Sequence, residues 1–75
     1  MLIMAQDKKR MIDCMIVEVT RNIGGDKNGK YALMASTSGF GAIVIGTYPD
    51  EESAKAELEK IYTAFAAGAT TYRVE

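Results

Sequence analysis

The sequence predicts an α+β domain: an antiparallel sheet of four to five strands with one amphipathic helix on one face, in the order β-β-β-β-α-β. Three observations carry this reading. Residues 11–20 are dense in Ile, Val and Met and alternate in character at the period of a strand. Glycine-rich segments at 24–29 and 39–41 separate apolar runs too short for anything but hairpin connections. Behind Pro49-Asp50, Ala54, Leu58, Ile61 and Phe65 recur at steps of four, three and four, which places them on one face of a helix.

Taken in order, Leu2-Ile3-Met4 reads as a short strand that stops at the polar run Gln6-Asp7-Lys8-Lys9-Arg10. Residues 11–20 read as one continuous strand, with Met15, Val17 and Val19 on one side and Cys14, Ile16 and Glu18 on the other. Gly24-Gly25-Asp26 and Asn28-Gly29 suit the positive φ angles of tight turns, so residues 21–30 form a hairpin loop. The next strand covers 31–37, with Tyr31, Leu33 and Ala35 facing one way and Ala32 and Met34 the other. Ser38-Gly39-Phe40-Gly41 turns the chain into a strand at 42–48, with Ile43 and Ile45 opposite Val44 and Tyr48. Asp50 is suited to cap the helix, because its carboxylate can accept the free amide hydrogens of the first turn. Glu51 and Glu52 complement the helix dipole, Glu51 and Lys55 pair along the surface, and Gly68 supplies the stop. Residues 70–74 complete a sheet edge.

The chain has 75 residues, enough for one domain. It has one cysteine and no histidine. That excludes an intrachain disulfide, and a structural zinc site wants about four nitrogen or sulfur ligands. Ser-His and Cys-His activation are excluded by the same composition. Cys14, mid-strand, reads as a core thiol, and the five methionines read as core filler. Asp50-Glu51-Glu52 is accounted for by helix capping. No catalytic residue, metal ligand or cofactor is expected, and the chain does not read as an enzyme.

Net charge is −1, divided as +2 over residues 1–30 and −3 over 31–75. This mild asymmetry is no footprint for nucleic acid, whose binding rests on many phosphate contacts. No apolar run approaches the ~20 residues of a membrane span. With a lone thiol and no export segment, the expected location is cytoplasmic. Gly24-Gly25-Asp26-Lys27-Asn28-Gly29-Lys30 lacks the order of a phosphate-binding loop, because a strand and not a helix follows it.

Two function classes remain. A sheet apolar on both sides with one helix to cover it leaves a side open, so the chain is expected to act as a homo-oligomer, a dimer before others, unless the strands curl to close the sheet on itself. The first class is therefore a non-catalytic interaction module that also docks on a larger protein through a sheet edge, a helix face or the Phe40 turn. The second binds a nucleotide or other anion at a subunit interface. Its candidate contacts are Lys8, Arg10, Arg21, Lys27 and Lys30, with Phe40 to stack on a base.

Leu2-Ile3 before Gln6-Asp7-Lys8, then Ile45-Gly46-Thr47-Tyr48 leading into a helix that bears Glu52, Ala54, Leu58 and Ile61, resembles a family of short uncharacterised proteins of Gram-positive bacteria and their phages. Met4-Ala5 stands where that pattern has Arg-Ser. The resemblance implies an α+β fold and a phage or prophage setting, in which small host-directed binding proteins are at home. It implies no activity and carries over no functional residue.

Overall fold

The computed structural model describes residues 1–22, 29–37, 39 and 41–75. Lys27 and Phe40, with the glycine-rich loop from 24 to 28, lie outside them. Among the described residues the order is β1 (Leu2–Met4), β2 (Met11–Asp13), β3 (Ile16–Arg21), β4 (Tyr31–Ser36), β5 (Ile43–Tyr48), α1 (Glu51–Ala66) and β6 (Thr71–Arg73). The α+β class stands, but the single sheet does not. Two three-stranded sheets form, ordered β2-β1-β6 and β3-β4-β5.

The split comes from the segment expected as one strand over 11–20. It breaks at Cys14-Met15 into β2 and β3. Ile12 and Cys14 pack on the core ahead of the break, and Val17 and Val19 do so after it. The inward set thus changes from even to odd positions, which an unbroken strand cannot do. One extra residue absorbs the change, and Met15 is the one turned out, 73% exposed.

A second irregularity does the same in β5. Leu33 pairs with Gly46 and Met34 with Val44, so Ile45 has no partner on β4. Ile43, Ile45 and Tyr48 therefore all reach the core, and Tyr48 does not face away with Val44 as strict alternation required. The Ile45 carbonyl, free of the ladder, accepts the Gln6 amide at 2.7 Å. This bond and the Cys14-Met15 corner join the two sheets at both seams, so their apolar faces share one interior.

β6 also departs from the antiparallel expectation. It runs parallel to β1, with Ile3 opposite Tyr72. A helix precedes it, and such a crossover permits parallel pairing where a tight hairpin would not. The pairs β1–β2, β3–β4 and β4–β5 are antiparallel as their connections require.

The core comprises Ile3, Ala5, Leu33, Ala35, Ile45, Tyr48, Ala54, Ile61 and Val74. The back of β3-β4-β5 is less apolar than the sequence implied. Ile16 and Val44 are exposed there, but Glu18, Thr20, Ser36 and Thr47 stand among them.

Asp50 caps α1 by accepting the Ser53 amide at 2.7 Å, and Glu51 pairs with Lys55 at 3.1 Å. At the other end Gly68, at φ +90°, takes a conformation that side chains oppose. Its amide returns to Phe65 O and that of Ala69 to Ala64 O, satisfying two carbonyls of the last turn. Hydrogen bonds from the Ser53 amide and hydroxyl hold the Asp50 carboxyl below its ordinary value. A depressed folded value gives stability above the unfolded value that is lost as pH falls through the folded one. Asp50→Ala is therefore expected to unfold at lower urea than wild type at neutral pH, with the gap narrowing in acid. An equal gap in strong acid would place the effect elsewhere.

Gly46 answers a close approach. A Cβ there would stand 2.7 Å from the Tyr48 hydroxyl and 3.1–3.2 Å from its ring. Tyr48 cannot swing clear cheaply, being buried with its hydroxyl donating to Glu75 O at 2.9 Å. Gly46→Ala is expected to cost about 1–2 kcal/mol by overpacking, measured as a lower urea midpoint.

Candidate docking cleft

Helix α1 turns Ala54, Glu57 and Ile61 fully inward and leaves Leu58 at the boundary. Towards its C-terminal end the apolar stripe outgrows what the sheet can cover. Leu58, Ile61, Tyr62 and Phe65 follow at helical spacing and face the corner where β2 passes into β3. Met1 and Ile3 form one further wall, and Cys14, Met15 and Val17 the opposite one. Between them lies a cleft of about 410 Å³, larger than the two others lined by β1, β2 and β6 and by Gln6, Asp7 and β5.

No charged side chain lines it. Its lips are Met15, Tyr62 and Phe65, each more than 60% exposed. The segment that supplies Ile61, Tyr62 and Phe65 is itself uncharged, since residues 61–72 include no Asp, Glu, Lys or Arg in a chain that is 25% charged. Tyr62, Thr63, Phe65, Ala66, Ala67 and Gly68 in that run are all exposed. Depletion of charge with aromatic residues and Met at the centre is the composition of a protein interface. Burial pushes the Cys14 thiol above its ordinary value. The apolar lining suits the cleft to holding an apolar group.

The structure places the other candidate residues elsewhere. Lys8 and Arg10 are exposed in the turn between β1 and β2, where Lys8 takes φ 63° and the Lys9 amide donates to Asp7 at 2.9 Å. Arg21 ends β3, its guanidinium 5.8 Å from the centre of the Tyr31 ring, and Lys30 is exposed at the start of β4. Gln6, beside Lys8, binds β5, whereas Arg21 lies on β3 at the other margin of that sheet and Lys30 leads into β4 between them. None of these four lines any of the three clefts.

Sequence reasoning put Phe65 in the core stripe and Met15 among the core fillers; both are exposed. The uncharged run over 61–72 was the available signal. It also passed over Glu57, which is 4% exposed. The Glu57 carboxylate accepts the Tyr72 hydroxyl at 2.7 Å and the Glu75 amide at 3.0 Å. Lys60 stands 3.9 Å from its other oxygen. With its bonds made and no cleft beside it, Glu57 ties β6 to the helix.

Among the described residues no group of acidic or thiol side chains is placed to hold a metal, and no helix is long and apolar enough to cross a membrane. No family model matches the chain, and no curated protein or solved structure matches it.

Proposed function

We propose that the chain is a small non-catalytic interaction module that acts as a homo-oligomer, with the cleft face as its contact surface. The observation that carries this reading is the placement of Met15, Tyr62 and Phe65, exposed together on the lips of one apolar cleft whose lining side chains carry no charge. Single exposed apolar residues are ordinary, but a contiguous set around a concavity marks a binding site. A cytoplasmic location accompanies this role, where a reduced lone thiol is stable.

Anion binding has less support. Of its candidate contacts, the described basic residues Lys8, Arg10, Arg21 and Lys30 line none of the clefts above.

Sedimentation over a concentration series tests the reading. The expected mass exceeds the 8.2 kDa of one chain at micromolar concentration. The double variant Met15→Ser, Phe65→Ser is expected to weaken association by about tenfold or more, as loss of an interface anchor does. A wild-type chain that stays at 8.2 kDa into the high micromolar range overturns the proposal.

A further inference from the structure

We infer that two copies meet about a two-fold axis with Phe65 of each seated in the cleft of the other, so that the cleft is complete only in the dimer. The inference rests on the homo-oligomer reading and names its geometry.

The first ground is self-complementarity. In a two-fold contact the same patch serves both copies, so a projection must lie beside the hollow that receives it. Phe65 projects from the last turn of α1, 63% exposed, at the lip of the cleft it also lines. The space suffices: an apolar cavity of roughly 150 Å³ already takes a benzene ring, and this one is about 410 Å³.

The second ground is chemical. An incoming ring meets the sulfurs of Cys14 and Met15 and the ring of Tyr62, all favourable neighbours for an aromatic face or edge. Across the axis no like charges meet within 61–72, because that segment has none. The apolar lining and lips of one copy thus meet those of the other without burying an unpaired side-chain charge.

The third ground is area. A stable interface buries about 800 Å² from each partner. Met15, Tyr62 and Phe65 at their observed exposures contribute a large part of that from this one face, and the half-buried Met1, Cys14, Val17 and Leu58 around them add to it.

The test combines sedimentation with labelling of Cys14 by N-ethylmaleimide, using the whole chain above and below its dissociation constant. The two-fold cleft predicts that Cys14 labels about tenfold more slowly where dimer dominates. It also predicts that Phe65→Ala and Phe65→Lys each weaken association about tenfold or more and make labelling independent of concentration. Val44→Ala, on the back of the sheet, should associate as wild type does. Circular dichroism checks that each variant is folded, as both Phe65 variants should be, since Ala and Lys are good helix formers at this exposed position. A dimer that forms normally with either Phe65 variant, or in which Cys14 labels equally fast at all concentrations, overturns the cleft geometry and leaves the homo-oligomer standing. Loss of association in Val44→Ala and not in the Phe65 variants overturns it too, by moving the contact to the sheet back. A wild-type chain that never associates overturns both.

Discussion

Leu33→Ala is expected to lose about 3 kcal/mol of stability, the largest effect of any single truncation considered for this chain. Leu33 is fully buried on β4, the middle strand of its sheet, opposite Val19 on one side and Gly46 on the other. Removing it takes away the transfer free energy of the side chain and leaves a hollow. The neighbours cannot fill that hollow: Val19 is branched and short, and Gly46 has no side chain to offer. Domains of this size hold only about 3–5 kcal/mol from a single core. The variant is therefore expected to be largely unfolded, or close to it, at ambient temperature. Urea titration followed by circular dichroism measures the midpoint. A loss under about 1 kcal/mol would mean that the hollow collapses, contrary to the packing described.

Glu57→Ala is expected to cost about 2–3 kcal/mol, because it leaves the Tyr72 hydroxyl and the Glu75 amide without their charged acceptor. Glu57→Gln keeps an acceptor in place and should cost less. A spectroscopic signature separates this role from general packing. Burial and the neighbouring Glu57 carboxylate push the phenols of Tyr48 and Tyr72 well above the ordinary tyrosine range, with Glu75 adding to both. A raised folded value means that the folded chain keeps protons the unfolded chain sheds. Stability is then fully present below the unfolded value of about 10 and declines as pH rises beyond it. Wild type should accordingly unfold in alkali with the phenolate absorbance of these two tyrosines appearing in the unfolding step. In Glu57→Gln the Tyr72 phenol should ionise at lower pH than in wild type. An unchanged tyrosine titration in that variant would remove Glu57 from the account.

The helix was the most legible part of the fold. Its cap at Asp50, its Glu51–Lys55 pair and its stop at Gly68 are local signals that depend on neighbours a few residues away, and all three appear as the spacing implies. The sheet was legible in its strands and hairpins but not in its division. A corner at Cys14-Met15 and an unpaired Ile45 each shift the inward-facing set by one residue; no glycine or proline announces the first, whereas Gly46 beside Ile45 was a readable sign of the second. The choice between one long alternating strand and two short ones out of phase is settled by long-range packing, since Ile12 and Val17 cannot both reach the core in a single strand. The same blindness applied to the cleft. Leu58, Ile61, Tyr62 and Phe65 look alike on a helix wheel, and only the position of the β2–β3 corner decides which of them ends at the surface. Glu57 was invisible for a related reason: its partners, Tyr72 and Glu75, lie 15 and 18 residues away.

The side chain of Gln6 has a consequence for how this sheet can grow. Its Oε1 accepts the Thr47 amide at 2.9 Å while Nε2 donates to the Thr47 carbonyl at 3.3 Å, so one carboxamide imitates the peptide group of an absent neighbour. With the Gln6 amide on Ile45, the outer margin of β5 is occupied along its second half. Recruitment of a foreign strand, and any filament built by stacking margin on margin, is thereby steered away from β5 and towards the unpaired side of β3.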